Sequence, residues 1–377
     1  MRKVRWGVIG CGGIARTRTI PGMLLAENAQ LVSVMARDLA SAQAVQEQFG
    51  ADRAYDSAEQ LLKNDDLDAV YIATPVFTHS ELTRLAADHG KHVLCEKPLG
   101  LNAADALRTV EYCREKGVLL SVDLMMRHGA HINRIREAVA AGEIGQVVSA
   151  DARFSCWVPK ACWSTDLERA GGGPLMDMGI HLIDLLRYVM GQEVTAVTAM
   201  NERVTFPPEG YGVEDSSTVL MRMTNGAQCT IFTNFNIPDS AGKWTVNLFG
   251  TRGRLLGDKI IGQLDEGTLW EMALCEGEDD FYAEPVAGNA VGTELTAQFG
   301  NLYTRTLSDF GEAILHGGTA FIDPMECVRD QRIIDAAMKL FRERGYSNVK
   351  VIEIVKASGI AHGSFYTYFK NKDALLG

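Results

Sequence analysis

No C-x-x-C pair occurs in this chain, although it holds eight cysteines, at positions 11, 95, 113, 156, 162, 229, 275 and 327. That absence removes the zinc ribbon and the dithiol redox motif. Thiols scattered in this way are expected to sit buried in a reducing compartment. Cys156 and Cys162 are the nearest pair, and neither a bridge nor a metal is expected of them. No apolar run approaches the roughly 18 residues that a membrane span needs. Met1-Arg2-Lys3 leads straight into a strand-like segment that reaches Gly10, with no long apolar core and no cleavage site. A signal peptide is therefore not expected, and the expected location is cytoplasmic. Positive charge is also in deficit, with 37 Lys and Arg against 48 Asp and Glu and a formal net charge of -11. Nucleic acid is thus not the default partner of the whole chain.

The deficit is uneven. Residues 332–377 carry eight Lys/Arg and four Asp/Glu, or +4, which leaves -15 for residues 1–331. A separate module at the C-terminal end is the natural reading of such asymmetry. The length of 377 residues accommodates two or three cores, and the apolar fraction of 46% is ordinary for a globular protein.

What is present begins with "VRWGVIGCGGIA", Val4 to Ala15. A β-rich run is followed at once by Gly10-x-Gly12-x-x-Ala15, the G-x-G-x-x-A form of the dinucleotide fingerprint. Gly10 permits the tight turn out of the strand, and Gly12 lets the backbone approach a pyrophosphate. Gly13 and Ile14 complete the loop. Small Ala15 lets the next helix pack close, with its N-terminus toward the anion. A lone glycine triad is also compatible with an ordinary βα turn, but the alternation continues. Strands are expected over 29–36, 67–74, 92–97 and 118–124, and helices over 38–50, 79–90 and 103–117. Such alternation with short loops predicts a doubly wound parallel sheet.

The end of the second strand, Ala36-Arg37-Asp38, is where the adenine ribose is read. Arg37 can pair with a 2′-phosphate and Ala36 leaves it room, which favours NADP over NAD. Asp38 points the other way unless it caps the following helix.

Two further stretches carry chemistry. "CEKPLG" (Cys95–Gly100) ends a strand and places Glu96 and Lys97 where ligands gather in open α/β sheets. Taken alone, Lys97 is equally compatible with a surface lysine. "GGGPLMDMGIHLIDLLRYVMG" (Gly171–Gly191) has helical apolar spacing after Pro174. Asp177 and His181 lie four apart and are expected on one face, and Asp184, three beyond His181, could also orient it. The cluster lacks a third strong ligand, so no metal is expected.

With these stretches together, residues 3–335 resemble the Gfo/Idh/MocA family of NAD(P)-dependent oxidoreductases. The resemblance rests on "GVIGCGGIA", "YIATPVFTHSEL", "GKHVLCEKPL" and "GGGPLMDMGIHLIDLLRYVMG", in that order. It implies a hydride transfer between a nicotinamide cofactor and a secondary alcohol or ketone of a sugar, polyol or diol. Lys97, Asp177 and His181 would form the catalytic set, with Asp177 favouring and positioning the histidinium. Thr74, Pro75 and His79 match the loop placed against the cofactor, although His79 could equally cap its helix. Arg127, in an expected helix over 124–139, would face the substrate. Trp157 and Trp163 offer flat faces for a sugar, or else pack in the core. A rival reading is a catalytically silent, cofactor-sensing regulator with a DNA-binding tail, against which the intact Lys97, Asp177 and His181 count.

Between about 144 and 290 the sequence predicts mainly strands, including a hairpin at Thr224-Asn225-Gly226-Ala227. The expected architecture is a Rossmann domain (1–123), an α+β substrate domain with a largely antiparallel open sheet (124–331), and a short all-α tail (332–377). In the family such an open sheet often builds homo-oligomers.

The tail, "RIIDAAMKLFRERGY", "VKVIEIVKASGI" and "AHGSFYTYFKNKDALL", resembles the helix-turn-helix head of TetR regulators. The resemblance implies DNA contacts at Lys350, His362, Gly363, Ser364, Tyr366, Tyr368 and Lys372. Ile333, Ile334, Ala337, Leu340 and Phe341 form an apolar stripe usable either by the enzyme's last helix or by the head's first. The regulator's dimerising body is missing, so DNA binding through the tail is expected to be weak or nil. An inert fusion, a DNA-binding enzyme and a closing extension packed on the nucleotide domain all remain open.

Overall fold

The computed structural model describes residues 2–158, 162–205, 211–273, 290–295 and 300–344. Six strands form a parallel sheet: β1 (Val4–Ile9), β2 (Ala29–Met35), β3 (Arg53–Tyr55), β4 (Ala69–Ile72), β5 (His92–Cys95) and β6 (Leu120–Val122). Their order is β3-β2-β1-β4-β5-β6, so the direction of winding reverses between β1 and β4. Ligands of such sheets collect beyond the carboxyl ends at that reversal. Outside the short β3, nearly every residue of these strands is buried, as a sheet covered on both faces requires. The helices α1 (Ile20–Leu25), α2 (Leu39–Phe49), α3 (Ala58–Leu62), α4 (His79–Asp88) and α5 (Ala103–Glu115) alternate with them. Asp38 caps α2 by accepting from the Ser41 amide, and Gly50 closes it with φ of 74°. The short β3 and α3 are additions to the expected alternation.

Beyond the sheet, the expected helix over 124–139 is divided. A single 3₁₀ turn (Met125–His128) ends at Gly129, and α6 (Ala130–Ala140) starts there, its amide at Ala130 capped by Asp265. The second sheet contains β7 (Val147–Ser155), β8 (Val194–Glu202), β9 (Ser216–Met223), β10 (Gln228–Asn234), β11 (Thr245–Gly250), β12 (Gly253–Asp258), β13 (Gly267–Ala273) and β14 (Ala290–Leu295). Its order is β14-β13-β12-β11-β7-β10-β9-β8. Every pairing is antiparallel except β7 with β10. The hairpin expected at 224–227 joins β9 to β10, with Gly226 at φ of 89°. Along β9 buried and exposed residues alternate cleanly, so one face of this sheet is packed and the other open. Two helices, α7 (Leu167–Ala170) and α8 (Ile180–Met190), belong to this half, and every residue of α8 is buried.

The last two described helices tie the halves together. α9 (Leu302–His316) lies in the 124–331 span of the sequence yet packs on β1, β2 and β5 of the first sheet. Its Phe310 ring meets Trp6 at a centroid distance of 5.9 Å. α10 (Pro324–Arg344) runs unbroken across position 332 and packs on α5, α8 and β8. Ile334, Ala337 and Met338 are buried there, and Asp335 accepts from the Ala103 amide at the start of α5. The described part of the apolar stripe, Ile333, Ile334 and Ala337, is therefore engaged in the oxidoreductase packing, and the Leu340 and Phe341 side chains lie outside the described ones. The seven candidate DNA-contacting residues, Lys350, His362, Gly363, Ser364, Tyr366, Tyr368 and Lys372, lie outside the described residues. No helix among the described residues is long and apolar enough to cross a membrane.

Candidate active site

A cleft of about 900 Å³ opens at the carboxyl ends of β1, β4 and β5, with the second half of the chain as its far wall. Gly10, Gly12, Gly13 and Ile14 line it, as do Ala36 and Arg37, Thr74, Pro75 and His79, Glu96 and Lys97, and Asp177 and His181. The glycine loop fits for three distinct reasons. Gly10 adopts φ of +96°, and a Cβ there would lie 2.7 Å from the Ala73 carbonyl group. Only glycine meets both conditions. A Cβ on Gly12 or Gly13 would meet no protein atom within 4 Å, so the space beside them is free for a ligand. Ala15 is fully buried and opens the helix with a wide π turn, Ala15–Thr19.

At the ribose end, Arg37 is exposed beside small Ala36. Asp38 is committed elsewhere: the Ser41 amide and hydroxyl each donate to it at 2.8 Å, and these contacts hold its carboxyl below the usual range. The capping alternative is thus the one realised. A helix N-terminus at open glycines and a cation at the ribose end together fit a dinucleotide.

His79 is buried and does not cap α4. Its Nδ1 lies 2.8 Å from the Pro98 carbonyl oxygen and its Nε2 2.7 Å from that of Thr74. The ring so ties the loop after β4 to the loop after β5, which contains a cis Lys97-Pro98 bond. Burial holds its pKa below the ordinary histidine value despite those two carbonyls.

Lys97 Nζ donates to Asp177 Oδ1 at 2.5 Å and to the Asp177 carbonyl oxygen at 2.8 Å. Burial disfavours the ammonium, but Asp177 and Glu96 outweigh it and the pKa stands above the ordinary lysine value. Lys97 is therefore a cation at neutral pH. His181 is buried, and its Nδ1 has no hydrogen-bond partner. Burial first, then the Lys97 charge, push its pKa well below 6.5, so the imidazole is neutral.

This arrangement corrects the expected orientation of His181. Asp177 serves Lys97, and Asp184 is taken by Arg127, whose Nε donates to its two oxygens at 2.9 and 3.0 Å. Leu175–Gly179 forms a π turn, and within it Asp177 is held by the Lys97 ammonium rather than by the His181 ring, although both side chains line the cleft. The expectation that Arg127 faces a substrate also fails. It is buried and reaches Glu326 at 3.0 Å as well, which joins α8 to α10. Trp163 lines the cleft, whereas Trp157 is 58% exposed and lies outside its lining. Tyr303, Gln263, Phe154 and Arg169 also line the cleft. Tyr303 comes from α9, some two hundred residues beyond the Glu96 that it approaches, and no local pattern in the sequence marks it. The free thiols Cys156 and Cys162 form no disulfide, and no metal-holding cluster occurs among the described residues.

Comparisons with known proteins bear on the family and the fold. The family model for the oxidoreductase family with an NAD-binding Rossmann fold (GFO_IDH_MocA) matches residues 4–124, and the GFO/IDH/MocA C-terminal domain matches 132–256. A third model, bacterial regulatory proteins of the tetR family, matches residues 333–377. The chain is 32% identical over 312 residues to a 1,5-anhydro-D-fructose reductase of Ensifer adhaerens, covering 82% of this chain and 88% of that protein. It is 30% identical over 341 residues to a D-xylose 1-dehydrogenase (NADP(+)) of Haloferax volcanii, covering 88% and 95%. Among solved structures, an aldose-aldose oxidoreductase from Caulobacter crescentus complexed with glycerol superposes with a TM-score of 0.80 at 24% identity, covering 91% of this chain and 98% of that one.

Proposed function

The chain belongs to the GFO/IDH/MocA oxidoreductase family, and on that premise we propose that it moves a hydride between a nicotinamide dinucleotide and the secondary alcohol or ketone of a sugar, polyol or diol. The observation that carries this reading is the convergence of Lys97, Asp177 and His181 in the same cleft as the open glycine loop. Bound there, the dinucleotide would give or take the hydride. The chain's own residues handle the oxygen and its proton. In the oxidation direction, neutral His181 is the acceptor, because its depressed pKa leaves the ring unprotonated. The Lys97 ammonium donates to the same oxygen and stabilises negative charge as it develops there. Asp177 acts through Lys97, fixing the ammonium by two contacts. In the reduction direction the same groups work in reverse, with His181 as the acid.

NADP is the favoured cofactor. Arg37 stands exposed at the ribose end, and the Asp38 carboxylate beside it is turned to the Ser41 amide and hydroxyl as a helix cap. A relative whose name includes NADP(+) supports the choice. Trp163 at the cleft wall offers a flat apolar face to a sugar ring. The second sheet carries exposed Met200 and Leu220 on the adjoining strands β8 and β9, and exposed Trp270 on β13 toward its other edge, which supports assembly into a homo-oligomer. The tetR-like segment does not act as an operator-binding head, since Ile334, Ala337 and Met338, in the part of α10 that would form its first helix, are buried in the oxidoreductase.

The test is a screen of purified protein against a panel of sugars, polyols and their keto forms, following NADP(H) and NAD(H) absorbance. Turnover of sugar-like substrates with NADP preferred is expected. Dinucleotide binding without turnover on any member of the panel would overturn the reading.

A further inference from the structure

Behind Lys97 lies a cluster of buried acids that the proposed chemistry does not use. Tyr71, on β4, is fully buried. Its hydroxyl lies 2.8 Å from Glu96 Oε1 and 2.6 Å from Asp123 Oδ2. Asp123 follows β6 and is completely buried, with no hydrogen-bond partner for its Oδ1. Glu96 is 7% exposed and lines the cleft beside Lys97.

A proton count constrains this cluster. A phenol has one proton to donate. It touches a carboxyl oxygen on each side at hydrogen-bond distance. Were both carboxyls ionised, one contact would set two oxygens together with no proton between them, in a site closed to water. At least one carboxyl therefore keeps its proton, so the cluster carries at most one negative charge, and the Lys97 cation beside Glu96 favours keeping that one.

The surroundings decide where that charge sits. Lys97 adjoins Glu96, and the Tyr303 hydroxyl also hydrogen-bonds Glu96. Both favour the carboxylate there. Glu96 and Asp177 are the acids facing Lys97. Asp123 has the weaker company: Thr306 beside it, the Glu96 charge against it, and Lys97 acting with smaller effect. Burial raises both acids, Asp123 well above its ordinary value. The remaining groups that face the cluster are the Cys95 thiol beside Glu96, and Arg18 beside Tyr303.

We propose that Asp123, Tyr71 and Glu96 form a proton-sharing chain, with Asp123 a neutral acid that donates to Tyr71, Tyr71 donating to Glu96, and Tyr71 acting as the positioning residue that keeps the single negative charge beside Lys97. The chain can also move that charge without solvent. The Asp123 proton passes to the Tyr71 oxygen as the Tyr71 proton passes to Glu96, with no net gain or loss. Its bearing on catalysis rests on the role proposed for Lys97, whereas the proton count does not.

Infrared spectroscopy of the cofactor-free protein tests the count. At pH 7 the wild type is expected to show a protonated-carboxyl C=O band that is lost in Asp123→Asn and kept in Glu96→Gln. Absence of the band in the wild type, or its loss in Glu96→Gln instead, overturns the assignment. If Asp123→Asn does not fold, Tyr71→Phe supplies the check, because removing the acceptor of the Asp123 proton must shift the band. The positioning role is read separately in the pH profile of kcat/KM. Losing the Tyr71 donor lets Glu96 take up a proton, which withdraws support from the Lys97 ammonium. In Tyr71→Phe the alkaline limb should thus move to lower pH by about one unit. A fall in melting temperature with that limb unmoved would reduce Tyr71 to a packing residue. Loss of turnover in Lys97 variants bears on the catalytic reading alone, so the two ideas fail by different measurements.

Discussion

The two walls of the cleft are built by opposite strategies. The wall from the parallel sheet is made of short contiguous motifs, in which each residue does its work next to its neighbours in sequence. Gly10 turns the chain, Gly12 and Gly13 leave room, and Asp38 caps the helix that it precedes. The wall from the second half has no such independence. Asp177 is defined by a lysine 80 positions away, and Asp184 by an arginine 57 positions away. The first wall is therefore expected to govern dinucleotide binding, and the second wall, with Lys97, to govern turnover.

The largest effects should separate these functions cleanly. Lys97→Met and His181→Ala are each expected to lower kcat by about 100-fold or more, as for a positioned acid–base group. Dinucleotide affinity, followed by fluorescence titration, should remain measurable in both. The wild-type acid limb adds a pH test. Oxidation needs neutral His181, and protonation on falling pH removes it. Because its pKa is depressed, kcat/KM for oxidation should hold through pH 6.5 and fail only below it. A limb at or above 6.5 would mean that His181 is not the base.

Arg37→Ala tests the opposite wall. A charge-assisted contact to phosphate contributes roughly 1.5–3 kcal/mol, or about ten- to a hundredfold in affinity. NADP binding should weaken by that factor while NAD binding and kcat hold. Equal weakening of both would deny Arg37 its role at the ribose.

Smaller effects distinguish the glycines. Gly10→Ala forces a side chain into a positive φ and against the Ala73 carbonyl group, and should cost about 1–3 kcal/mol of stability in denaturant titrations. Gly13→Ala meets no protein atom, so it should leave stability unchanged and weaken only the dinucleotide. Similar losses of stability in both would show that the open space is not reserved for ligand.

The smallest effect is expected at the C-terminal end. Removing residues 345–377 should leave kcat/KM within about twofold, because buried Ile334, Ala337 and Met338 of α10 stay in place. Removing residues from 333 onward also strips Ile334 and Met338, each stabilising by about 1.5–3 kcal/mol when buried, and should unfold the enzyme. Loss of activity in the shorter truncation would assign residues 345–377 to the oxidoreductase itself.

Much of the first wall was legible in the sequence because its physics is short-ranged. The β-rich run and glycine loop, the strand ending at Cys95, and the αL glycine that closes α2 all act within a few residues. The hairpin at Gly226 was legible for the same reason. The short β3 and α3 offered too little periodicity to register. Helical spacing placed Asp177 and His181 on one helix correctly, but it assumed a regular turn where the chain makes a π turn. Arg127 was expected to face the substrate from the family resemblance alone, and nothing in the sequence marked the acids that hold it. Its partners are Asp184 and Glu326, on two later helices.

The sequence by itself determined the βα order, the glycine loop and the hairpin at Gly226, since turn sterics and periodicity need no distant partner. The tertiary structure alone decided the pairings: Lys97 with Asp177, Arg127 with Asp184, Tyr303 beside Glu96, and the α10 stripe with the oxidoreductase core. The physical reason is desolvation. A buried charge or apolar face must find a partner wherever packing brings one within reach, and that reach is set by the fold, across tens to hundreds of residues of chain.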